Sequence, residues 1–81
     1  MERAEALDAI RSVAAEVLGI DAGSIAETSS FREDLEADSL HLVELVMGLE
    51  DRFGIEVPEE DLDGVDTIGQ AVDLVLARIG R

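Results

Sequence analysis

Apolar residues near the start of the chain fall at Leu7, Ile10, Ala14, Val17 and Leu18, a three- and four-residue spacing that predicts an amphipathic helix. Gly19 stands where a left-handed residue would stop it, so the helix runs roughly from Arg3 to Leu18. The stretch 20–38 has no such period and is long for a connection. It is expected to be pinned by Ile25, Phe31 and Leu35 and to hold short helical turns, with capping-box spacings at Ser24 and Glu27 and at Ser30 and Glu33. Asp38 suits an N-cap and Gly54 is the next break, which frames a second helix from about Ser39 to Phe53. Pro58, Glu59, Glu60 and Asp61 open a short helix of one or two turns that Gly64 stops. Thr67 and Gln70 form another capping pair and open a last helix with Ile68, Val72, Val75 and Ile79 on one face, ending at Gly80. Strand-like alternation is missing. The expected fold is all-α: a small bundle of three main helices plus one short helix, with a long loop between the first and second helices, forming a single domain over 1–81.

The second helix has an apolar face to spare. At about 100° per residue, Leu42, Leu45, Val46, Leu49 and Phe53 share one arc, whereas Leu40, Val43 and Met47 fall roughly 140° away. Glu44, Glu50 and Asp51 border that second stripe. Two readings stand: the stripe packs on the long loop or the short helix, or it is a contact patch whose acidic border steers a basic partner.

Charge sharpens the second reading. Twenty Asp and Glu oppose six Arg, with no Lys, for a net charge of −14. Such a surface argues against binding nucleic acid or an anionic membrane and favours a partner with a basic patch. From Glu36 to Asp66 eleven acids meet only Arg52, so this side is the expected docking region. An 81-residue chain has room for one modest core, which makes a deep catalytic cleft unexpected. The absence of Cys excludes disulfides, thiolate chemistry and Cys-ligated zinc. No signal-peptide pattern or membrane-length apolar run is present, so a cytoplasmic setting is expected.

Candidate chemistry centres on Ser39. Asp38, Ser39 and His41 suggest a hydrolase triad, but residues two apart on a helix point about 200° from each other and no Gly-x-Ser-x-Gly elbow surrounds the serine. Asp61, Asp63, Gly64 and Asp66 hint at a calcium loop, yet Val65 occupies a ligand place and the glycine comes too early, so no metal site is expected.

The run Leu35, Glu36, Ala37, Asp38, Ser39, Leu40, followed by Val43, Glu44, Leu45, Val46 and Met47, resembles the attachment-site signature of acyl carrier proteins. The likeness continues through Leu49 to Phe53, Ile55 to Pro58, and Thr67, Ile68, Gly69 and Asp73, covering the whole chain. It implies a carrier, not an enzyme, with 4′-phosphopantetheine on Ser39 whose thiol holds an acyl chain as a thioester for fatty acid or polyketide synthesis. The implied partners are a phosphopantetheinyl transferase, which supplies the magnesium and the base, and acyl-transferring and chain-extending enzymes. The partner face is expected at Asp38, Leu40, Val43, Glu44, Met47, Glu50 and Asp51, on a monomer. A core with Phe31 and Phe53 as its only aromatics suits an acyl chain slipped between helices. Two residues depart from the family: Glu36 stands where Gly is common, and His41 where an acid is common. The competing readings are an arm-free acidic module, such as a nucleic-acid mimic, and an aminoacyl, peptidyl or polyketide-dedicated carrier.

Overall fold

The computed structural model describes residues 2–62 and 64–79. It contains α1 (Arg3–Leu18), α2 (Ser39–Phe53) and α3 (Ile68–Ile79), with 3-10 turns at Ala22–Ser24 and Glu59–Leu62. The predicted helix limits hold because each rests on a local cap. Gly19 (φ 68°) and Gly54 (φ 65°) end α1 and α2 in the left-handed conformation. Gln70 Oε1 accepts from the Thr67 N–H at 2.9 Å, and Thr67 Oγ1 accepts from the Gln70 N–H at 3.3 Å. Glu2 and Glu5 form a further capping box at the start of α1. The expected helix end at Gly80 lies outside the described residues, as does Asp63.

α1 is the central support: both α2 and α3 pack on it. Ile10, Ile25, Ile68, Val72 and Val75 are the largest fully buried side chains. The contact face of α1 differs from the predicted stripe. Ala6, Ala9, Ile10, Val13 and Ala14 are buried, while Leu7, Val17 and Leu18 flank them half-buried. Alanines take the centre because a helix wedged between two others needs close backbone approach. Gly48 plays the same part on α2, where a Cβ would meet Val13 Cγ1 at 2.8 Å.

Ile25, Phe31 and Leu35 pin the long loop as expected, each buried. Its turns are built differently from the predicted capping boxes. Asp21, not Ser24, caps the first turn by accepting from the Gly23 N–H, and Glu27 reaches away to Arg3 at 2.6 Å. The Ser30 box is half right. Ser30 Oγ accepts from the Glu33 N–H at 3.2 Å, but the reply to the Ser30 N–H comes from Asp34 Oδ2 at 2.7 Å. Ser30 itself is buried, and its hydroxyl donates to Asp66 Oδ1 at 2.9 Å. An isolated bridge between Ser30 and Thr67, with the Phe31 N–H donating to the Asp66 carbonyl at 2.8 Å, fastens the loop to the entry of α3.

Candidate functional site

The approach to α2 is set by three residues that alternate inside and outside. Leu35 and Ala37 are buried, and Glu36 between them points outward with φ 55°, a left-handed conformation that costs a non-glycine residue about 1 to 2 kcal/mol. The Ala37 N–H donates to the Phe31 carbonyl at 2.8 Å, folding the loop back against the helix entry. Asp38 is the N-cap, with its Oδ1 accepting from the His41 N–H at 2.8 Å. That bond holds the Asp38 carboxyl below the usual carboxylate range, helped by the nearby Leu40 N–H.

Ser39 follows as the first helical residue, exposed to solvent. The N–H groups of a first turn lack intrahelical acceptors and carry the positive end of the helix dipole, so an anionic group joined to this hydroxyl is favoured there. His41 does not serve Ser39. Its Nδ1 lies 3.4 Å from the Asp38 backbone nitrogen and 3.3 Å from Asp38 Oδ1, completing a capping box in which histidine fills the place usual for Glu or Gln. Sequence reasoning missed this role, although the Asp38-to-His41 spacing was its signal. The hydrolase triad is absent because the imidazole is turned to the cap.

The second stripe of α2 is exposed, which removes the first of its two readings. Leu40, Val43 and Met47 are 65%, 55% and 62% exposed, so the stripe is not internal packing. Glu44 and Asp51 are exposed beside it. Glu50 stands apart from them, half-buried, with its Oε2 accepting from the Val57 N–H at 2.9 Å. That bond gives the carboxylate a structural task in holding the chain after α2.

Between α2, α3 and the connecting segments runs a groove of about 550 Å³ with Ser39 on its lining. Leu42, Val46, Leu62, Val65 and Leu74 give it an aliphatic wall, and Arg32 and Asp66 are its charged residues. Sequence singled out Asp66 only for a calcium loop and Arg32 not at all, because only the folding of the loop brings 32 and 66 to the groove that Ser39 lines. Asp61 pairs with Arg78, and Asp66 accepts from Ser30, so these two acids serve separate partners and do not converge as calcium ligands.

Comparison with known proteins agrees with this architecture. Residues 8–75 match the family described as "Phosphopantetheine attachment site". An acyl carrier protein of Rubrobacter xylanophilus is 49% identical over 76 residues, covering 94% of each chain. A solved structure described as an acyl carrier protein of Mycobacterium tuberculosis superposes with a TM-score of 0.83 at 30% identity, covering 89% of this chain and 96% of that one.

Proposed function

The chain belongs to the acyl carrier protein family, with its phosphopantetheine attachment site, and from that membership we propose that Ser39 bears the covalent 4′-phosphopantetheine and that α2 presents it to partner enzymes. Exposure of Ser39 at the first turn of α2, on the lining of an aliphatic groove, is the observation that carries this reading. The residues fit the group: the hydroxyl is open, and the helix end favours a phosphodiester without a pocket. When attached, the arm supplies a terminal thiol that holds an acyl group as a thioester.

The chain's own residues bind and present. Asp38 sets the helix start and stays ionised, and His41 is committed to Asp38, so no base is directed at the Ser39 hydroxyl. Deprotonation and magnesium therefore fall to the phosphopantetheinyl transferase. The stripe Leu40, Val43 and Met47 offers apolar contact area. Asp38, Glu44 and Asp51 supply the charge that steers a basic partner, with Glu50 at the edge of the patch. The groove falls within the size range of small-molecule sites, and its wall suits an aliphatic acyl chain of fatty acid synthesis or of a related polyketide pathway. That apolar lining favours such a cargo over an aminoacyl or peptidyl one. Family membership sets aside the arm-free acidic module.

Loading with coenzyme A and a broad-specificity transferase, followed by intact mass, tests the site. Wild type should gain one arm and Ser39→Ala none, with the helical circular dichroism of the two superimposable. Modification of the Ala variant would move the attachment elsewhere.

A further inference from the structure

Three arginines are spoken for by partners within the fold. Arg3 binds Glu27 and Asp73, Arg11 binds Asp8 and the Ala22 carbonyl, and Arg78 binds Asp61. Arg32 is different. It is exposed and makes no ion pair among the described residues, and it is the one cation on the groove that Ser39 lines. Its backbone is held in place. Phe31 is buried, its N–H bonds the Asp66 carbonyl, and its own carbonyl accepts from Ala37, so the chain at 31 is locked against the chain at 37. Arg32 sits one residue from that junction and Ser39 two residues from it, on the other strand of the fold-back.

A guanidinium so placed lines a largely apolar groove with its planar fork uncommitted among the described residues, and a phosphodiester is the anion whose geometry that fork matches. We propose that Arg32 is a positioning residue for the phosphodiester on Ser39, turning the arm along the groove instead of out into solvent. The inference rests on the carrier reading with Ser39 as the attachment site. Arg32 thereby biases the thioester end of the arm toward the aliphatic wall, where hydroxide and water reach it less. Asp66, on the same lining, accepts from Ser30 and makes no ion pair with Arg32.

The test uses full-length protein carrying the arm and an octanoyl thioester, as wild type, Arg32→Ala, Arg32→Lys and Arg52→Ala. Arg52, in the last turn of α2, is absent from the groove lining and serves as the control. The ³¹P resonance and the rate of thioester hydrolysis are read at fixed pH, across a salt series. Arg32→Ala should shift the ³¹P resonance at low salt and speed hydrolysis roughly two- to fivefold, the scale of an exposed ion pair. Salt should close the gap, Arg32→Lys should recover part of it, and Arg52→Ala should match wild type. Arg32→Ala indistinguishable from wild type in both readouts, or no different from Arg52→Ala, overturns the role of Arg32 and leaves the carrier reading intact. Failure of wild type to accept an arm at Ser39 overturns both.

Discussion

Val13 Cγ1 lies 2.8 Å from where a Cβ on Gly48 would stand, which makes the α1–α2 contact closer at this point than any side chain allows. Alanine at 48 would gain about 1 kcal/mol in helix propensity, but overpacking against a stiff β-branched neighbour costs about 1 to 3 kcal/mol. Gly48→Ala should therefore lower the melting temperature. In a Val13→Ala background the same change should raise it, since the obstacle is gone. Thermal melts of the four proteins in the cycle check this, and equal effects of Gly48→Ala in both backgrounds would show that the two residues are not coupled.

Glu36 holds a left-handed conformation at the approach to α2. Replacement by Gly removes that strain but loosens the unfolded chain, for a net gain of about 0.5 to 1 kcal/mol. Glu36→Gly should raise the melting temperature by about 4 °C, whereas Glu36→Ala, which keeps the Cβ, should not. Matching melts for Gly and Ala would place the effect in the lost charge instead.

Asp38 makes helix capping dependent on pH. Its folded-state carboxyl lies below the ordinary value of about 3.9, so its contribution is complete above that value and is lost as pH falls through the lower, folded one. The stability gap between wild type and Asp38→Asn should be widest near neutral pH and narrow in the acid range, below about pH 4. Urea melts at several pH values measure it. A constant gap down to the acid limit would mean that the charge of Asp38 contributes nothing.

Two acids of one helix should separate by kind of defect. Glu50→Ala leaves the N–H of the buried Val57 without its acceptor and should cost about 1 kcal/mol of stability. Glu44→Ala should leave stability within about 0.5 kcal/mol of wild type. Urea midpoints for both variants decide whether the bond to Val57 matters.

On the exposed stripe, charge and contact area should part ways with salt. Glu44→Lys should slow arm loading most at low ionic strength and recover as salt rises, because surface charges act on encounter and are screened over about 8 to 10 Å. Met47→Ala should slow loading to a similar degree at every salt concentration, and His41→Asp should speed it if an acid at that place aids the transferase. Loading rates across a salt series give the answer. Wild-type behaviour in both Glu44→Lys and Met47→Ala would remove this face from the docking surface.

What could be read from the sequence was whatever a few neighbouring residues decide among themselves. Asp38, Gly19, Gly54 and the Thr67–Gln70 pair act within one helical turn, and the helix limits followed from them. Leu40, Val43 and Met47 were separable from the core stripe by angle alone, though only the packed fold showed that nothing among the described residues covers them. The loop resisted for the opposite reason. Glu27 answers to Arg3, Ser30 to Asp34 and Asp66, and Glu50 to Val57, partners that local capping patterns do not select. The small residues at the centre of α1 were under-read because alanine is a weak hydrophobic signal, yet it is what permits helices to approach closely.

Because α2 and α3 both lean on α1, the groove between them is a seam with a shared spine, fastened where Ser30 meets Thr67. Each wall of the seam is thus placed mainly by α1 and not by the other wall, so a change in the packing of α1 reaches the groove from both sides at once.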